Sequence, residues 1–131
     1  MLKRAVYTDR APSPVAAYSQ AVRYGDLVQV SGQGPADPAT GEYVEGGIRD
    51  QTRQVLENLR TILEASGSSF DDVLMLRVYL TDRDDFATMN EVYADFVGDP
   101  HPARTTVYVG LAAGMLIEVD ALAAVSGEGA A

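Results

Sequence analysis

Cysteine and tryptophan are absent from the 131 residues, and histidine occurs once, as His101. Without thiols there can be no disulfide, thiolate nucleophile or cysteine-ligated zinc. A single imidazole likewise excludes a multi-histidine metal centre, so neither a metal nor a cofactor is expected. No apolar run approaches the roughly 20 residues of a membrane-spanning helix. The opening Met1-Leu2-Lys3-Arg4-Ala5-Val6 lacks the apolar core of a secretory signal. No membrane partner is expected, and the expected compartment is the cytoplasm. Positive charge is scarce: 10 Lys and Arg stand against 19 Asp and Glu, for a net charge of −9. That sign repels phosphate backbones, which makes nucleic acid an unfavoured partner. Gly32 and Gly34 have neither the spacing of a dinucleotide fingerprint nor the lysine of a phosphate loop. The glycine-flanked serine elbow of an α/β-hydrolase is missing too.

What is present is ordinary for a globular protein: 47% hydrophobic and 22% charged residues. One domain over residues 1–125 is expected, with a flexible tail over 126–131 rich in glycine and alanine. A short strand over 3–7 is interrupted by Ala11-Pro12-Ser13-Pro14. A second strand ends near Tyr24, turns at Gly25-Asp26 and returns as Leu27-Val28-Gln29-Val30-Ser31. Between about 47 and 66, Ile48, Val55, Leu59, Ile62 and Leu63 recur at helical steps, and Ser66-Gly67 supplies the stop. Val73 to Leu80 is a nearly continuous apolar strand with Arg77 as its one charge. Asp82 to Asp85 offer capping carboxylates for a second helix whose stripe is Phe86, Met89, Tyr93 and Phe96 or Val97. Two further strands, about 103–109 and 115–125, flank Gly110-Leu111-Ala112-Ala113-Gly114. The expected class is therefore α+β, a six-stranded sheet with two helices on one face. Several strands read as apolar on both faces, which points to self-association.

Candidate chemistry centres on Arg104. It shares one face of its strand with Thr106 and Tyr108, while Leu116, Glu118, Asp120 and Leu122 share a face of the last strand. If these two strands form a hairpin centred on Leu111, Arg104 lies directly opposite Glu118. Two readings stand side by side: a structural ion pair, or a fork that grips a substrate carboxylate while the neighbouring acid handles water. Ser31-Gly32-Gln33-Gly34 is either a strand-ending turn or an open backbone that receives a ligand. Tyr18 is a hydroxyl donor or a packed aromatic. Asn90 borders the second helix's apolar stripe.

Taken together, several segments resemble the RidA/YjgF family, also called the L-PSP or reactive-intermediate deaminase family. They are Ala11-Pro12 with Tyr18-Ser19-Gln20-Ala21, Val30-Ser31-Gly32-Gln33, Asp37-Pro38-Ala39-Thr40-Gly41, and Gln51 through Leu59. Val78-Tyr79-Leu80-Thr81-Asp82, Asp85 through Asn90, Pro102 through Val107, and Ile117-Glu118-Val119-Asp120-Ala121 follow in the same order. The resemblance implies a chorismate-mutase-like α+β fold assembled as a homotrimer with clefts between subunits. It also implies cofactor-independent hydrolysis of enamines and imines of the 2-aminoacrylate and 2-iminopropionate type to a 2-keto acid and ammonia. By the same resemblance Arg104 holds the substrate carboxylate and Glu118 places the attacking water. Tyr18, Ser31, Gly32 and Asn90 line the cleft, with Thr106 beside it, and the partners are small imine and keto-acid ligands. An ionised Glu118 beside Arg104 is the expectation for this site.

Three positions depart from the usual pattern of that family. Ala16-Ala17 precede Tyr18 in place of glycine-proline, Thr105-Thr106 follow Arg104 in place of serine-cysteine, and Leu111-Ala112 replaces a leucine-proline turn. These leave open a pathway-specific homologue acting on another imine, or a non-catalytic trimer that binds small carboxylates.

Overall fold

A computed structural model describes residues 2–125; the tail expected over 126–131 lies outside them. The chain order is β1 (Arg4–Val6), β2 (Ala21–Tyr24), β3 (Leu27–Gln33), α1 (Ile48–Ala65), β4 (Val73–Leu80), α2 (Phe86–Ala94), β5 (Ala103–Tyr108) and β6 (Ile117–Ala124). All six strands join one sheet in the order β1-β2-β3-β6-β4-β5. Every pairing is antiparallel except β4 with β5. The architecture is the expected α+β, with a mixed six-stranded sheet and two helices.

The turn foreseen at Gly25-Asp26 closes the β2–β3 hairpin, where Tyr24 pairs with Leu27 and Gly25 takes a left-handed φ of 61°. In α1, Val55, Leu59, Ile62 and Leu63 are fully buried, joined by Leu56. Burial of side chains this size is worth about 1.5–3 kcal/mol each, so tertiary packing holds the helix more than intrinsic propensity. Gly67 ends it with φ 80° while Ser68 N–H donates to the Leu63 carbonyl. Asp82 caps the turn before α2 by accepting from Asp84 N–H at 2.9 Å. The stripe on α2 is shorter than expected: Met89, Val92 and Tyr93 are buried, and the helix stops at Ala94.

The core lies between the helices and one sheet face. On β6 Ile117, Val119, Ala121 and Ala123 are buried and alternate with half-buried Glu118, Asp120, Leu122 and Ala124. Register aligns the buried set with Leu76, Val78 and Leu80 on β4 and Val30 on β3. The other face is less apolar than the sequence led us to expect. Leu27 and Leu74 are about half exposed, but the centre holds Gln29, Arg77, Tyr79 and Asp120 in one hydrogen-bonded set.

The connectivity of the last two strands differs from the expected hairpin. Helix α2 is a crossover, and it returns the chain as β5 parallel to β4 on the outer edge. The chain then passes back to insert β6 between β3 and β4. Arg104 pairs with Leu76 and Glu118 pairs with Tyr79, so the direct pairing of Arg104 with Glu118 does not form. The physical reason is burial: β6 alternates with one fully covered side and takes a central position. β5 has no fully buried residue and takes the edge.

Candidate functional site

On the open side of the sheet a cavity of about 610 Å³ is walled by Tyr18, Gly32, Tyr43, Met115 and Glu118, with Pro12, Val15, Ala36 and the 38–41 loop completing its rim. Glu118 reaches it through simple strand alternation on β6. Gly32 reaches it through a bulge: Val30 pairs with Ala121 but Gln33 with Val119, so Ser31 and Gly32 together oppose one residue. A side chain at Gly32 would overlap the Glu118 carboxylate, so the missing Cβ is what gives that carboxylate its place. Ser31 is not part of the wall. Its hydroxyl donates to the Ser19 carbonyl at 2.6 Å, which ties the bulge to the segment before β2. Tyr18 is 47% exposed, and its hydroxyl accepts from Val15 N–H at 3.4 Å.

Three buried amides hold the surrounding loops. Gln20 accepts from Thr8 N–H and donates to the Thr8 and Pro12 carbonyls at 2.9 Å each. Asn58 donates to the Gly34 and Ala36 carbonyls, and Gln54 donates to Asn58 Oδ1. Gln51 donates to the Gly114 carbonyl and accepts from Leu116 N–H, bracketing Met115. Each amide is at least 96% buried, so these bonds are sheltered from competing water. No role had been foreseen for them, although Gln51 and Asn58 interrupt the apolar stripe of α1, and a polar residue in such a stripe is a signal of this kind of task.

Glu118 makes no hydrogen bond or ion pair among the described residues. Burial, and then the Asp120 charge, push its pKa above the usual glutamate value. The adjacent Arg104 expected to favour its charged form is not there: Glu118 pairs with Tyr79, and Arg104 with Leu76.

Arg104 belongs to the opposite face. Its register partner Leu76 is fully buried under the helices, and its Nη1 donates to Asn90 Oδ1 on α2 at 2.7 Å. The guanidinium carbon lies 4.7 Å from the Tyr93 ring centre and 5.6 Å from that of Phe86. Burial pushes the Tyr93 pKa up against the opposing pull of Arg104. Thr106 stands two residues along the same face, its Oγ1 buried and without a hydrogen-bond partner. The expected residues therefore form two groups, Tyr18, Gly32 and Glu118 in the cavity and Arg104, Asn90 and Thr106 at the α2–β5 edge. Strand β4 lies between the strands that carry Glu118 and Arg104. His101 sits in the loop before β5, its Nδ1 paired with the Gly98 carbonyl at 2.8 Å.

Residues 8–125 match the family described as Endoribonuclease L-PSP. A RutC family protein of Pyrococcus horikoshii is 51% identical over 93% of this chain and 98% of its own. A 2-iminobutanoate/2-iminopropanoate deaminase of Rattus norvegicus is 39% identical over 94% and 90%. The crystal structure of RidA from an Antarctic Psychrobacter superposes with a TM-score of 0.89 at 43% identity, covering 92% of this chain and 98% of the other.

Proposed function

This chain belongs to the L-PSP family, also called RidA/YjgF, and we propose that it hydrolyses 2-imino acids and their enamine tautomers to 2-keto acids and ammonia. The observation that carries the proposal is the unpaired Glu118 carboxylate on the wall of a cavity large enough for a small substrate. The deaminase name carried by the rat relative supports the same reaction.

In this reading the site is completed by a second copy of the chain. Within one protomer Arg104 and Glu118 lie on opposite faces, at a lateral strand separation of about 10 Å, so one small substrate cannot touch both. Placing the Arg104 edge of one subunit over the cavity of the next brings them together, as in the homotrimer that the resemblance implies. Arg104, oriented by Asn90 and stacked on Tyr93, takes the substrate carboxylate in a two-pronged contact. Tyr18 offers its hydroxyl to the bound molecule, and Thr106, whose own hydroxyl is buried, shapes the edge beside Arg104.

The imine carbon is already electrophilic, so the protein supplies orientation and proton handling. Water adds to C2 while Glu118 accepts one of its protons and passes it towards the nitrogen. The carbinolamine then breaks its C–N bond, releasing ammonia and leaving the 2-keto acid. A raised pKa suits this work, because a carboxylate that holds a proton more tightly is a stronger base. An RNA substrate is disfavoured by the net charge of −9.

The test uses 2-imino acids generated in situ by an amino-acid oxidase, with keto-acid release as the readout. Arg104→Ala and Glu118→Ala should each be inactive alone. Unfolded, mixed in equal amounts and refolded together, they should regain activity at about a quarter of their sites, the random share of interfaces that pair one intact half with the other. Inactive mixtures would exclude a shared site, and a wild-type protein with no effect on any imine would exclude the reaction.

A further inference from the structure

The centre of the open sheet face holds a polar set that has no direct part in the proposed reaction. Alternation along β6 turns Glu118 and Asp120 to the same side. Opposite them on β4, Tyr79 pairs with Glu118 and Arg77 with Asp120. By position alone the Tyr79 hydroxyl and the long Arg77 side chain lie within reach of either carboxylate.

The donors are not shared evenly. Asp120 takes both: Arg77 Nε donates to its Oδ1 at 2.7 Å and the Tyr79 hydroxyl to its Oδ2 at 2.8 Å. The second arm of Arg77 goes to Gln29 Oε1 on β3 at 3.2 Å. Gln29 is itself fixed, its Nε2 donating to the Val30 and Ala121 carbonyls at 3.0 and 2.9 Å. The cation and hydroxyl nearest Glu118 are therefore turned away from it, and Glu118 reaches the cavity unpaired.

We infer that Asp120 is a positioning residue for the proposed reaction: by holding Arg77 and Tyr79 it keeps Glu118 an unpaired base facing the cavity. The inference rests on the deaminase reading, and extends it to a residue that touches no substrate. The groups facing Glu118 are Asp120 on its own strand, Tyr79 and Arg77 from β4, Tyr18 across the cavity, and uncharged Gly32 from β3. In the completed site Arg104 of the second copy joins them. Burial comes first among the causes of the raised Glu118 pKa, and Asp120 adds to it. The raised pKa values of Arg77 and Tyr79 have the Asp120 hydrogen bond as their first cause, as expected of donors committed to that carboxylate.

Two substitutions pull Glu118 in opposite directions. Asp120→Asn removes the neighbouring charge and releases Arg77 towards Glu118, which lowers its pKa. Arg77→Gln removes the cation and leaves Asp120 less offset, which raises it. Tyr79→Phe, with nearly unchanged shape, frees one Asp120 oxygen and is the mildest of the three.

The experiment is carbon-13 NMR titration of the Glu118 carboxyl in the full-length protein, the resonance assigned by its loss in Glu118→Gln, alongside the pH profile of kcat/KM for imine hydrolysis. The midpoint should fall by about one pH unit in Asp120→Asn and rise in Arg77→Gln, with the acid limb of the profile moving in the same sense. A structural role alone would lower the height of the profile and leave its limb in place. Midpoints that stay fixed while the wild type turns over imines overturn the inference and leave the deaminase reading standing. Midpoints that move in a protein without turnover uphold the control of Glu118 and overturn the deaminase reading.

Discussion

Arg104 and Glu118 stand on opposite faces of one sheet, with β4 between the strands that carry them. Arg104 is held against α2 by Asn90 and two aromatic rings, while Glu118 faces the cavity. A structural ion pair between them within one protomer is thereby excluded. Arg104 is engaged by its own α2, and Glu118 is left without a partner among the described residues.

Gly32→Ala should remove activity without unfolding the protein. The added methyl meets the Glu118 carboxylate. The backbone at this glycine is not left-handed and the residue itself is exposed. Displacing the base should lower kcat by about 10²-fold or more, the usual scale for general-base catalysis. Turnover and thermal midpoint measured together check this; full activity would mean that the carboxylate's place is unimportant.

Asn90→Ala should raise KM more than it lowers kcat. Asn90 orients Arg104 through the 2.7 Å bond and lies on the other side of the sheet from the proposed base. Loss of one charge-assisted hydrogen bond is worth about 1.5–3 kcal/mol, or roughly ten-fold and upward in carboxylate affinity. Arg104→Lys should fail more severely, because it loses both the planar fork and the stacking on Tyr93. Steady-state kinetics on one imine series separate the two effects.

Asn58→Leu should destabilise the fold and loosen the cavity. It leaves the part-buried Gly34 and Ala36 carbonyls without their donor, at a cost of about 1 kcal/mol for each lost bond. Chemical denaturation measures the first effect. Faster amide exchange over residues 34–44 reports the second, and exchange unchanged there would separate Asn58 from the cavity.

Glu118→Gln should stabilise the folded chain at neutral pH. The folded-state pKa of Glu118 is raised, so its protonated form is the one that the fold favours. That contribution is complete below the unfolded pKa and is lost as pH rises through the folded one. At neutral pH the wild type has lost it and the glutamine variant has nothing to lose. The thermal midpoints should differ at pH 7 and converge as the pH is lowered; parallel curves would contradict the raised pKa.

Much of this protein was legible in its sequence, for local reasons. The step of three and four along 48–63 placed α1, the glycine and aspartate at 25–26 placed the hairpin, and alternation identified which residues share a face of β5 and β6. Of the candidate side chains, Tyr18, Gly32 and Glu118 fall in one cavity, Arg104, Asn90 and Thr106 at another edge, and Ser31 in neither. What could not be read was which strands pair. A short connection between two strands favours a hairpin on local grounds, but that bias lost to burial: the fully alternating β6 filled the gap between β3 and β4, and β5 was left on the edge.

The same limit separates the residues themselves. Sequence determined which groups are missing, a thiol, an imidazole cluster and a phosphate loop, and so which side chains a proposed reaction can draw on: carboxylates, guanidinium groups and hydroxyls. Tertiary structure alone decided that Asp120 and not Glu118 receives Arg77, that three buried amides hold the cavity's loops, and that Arg104 and Glu118 do not meet within one protomer. Those are long-range choices, set by strand order and register, and a strand carries no local signal of its neighbour.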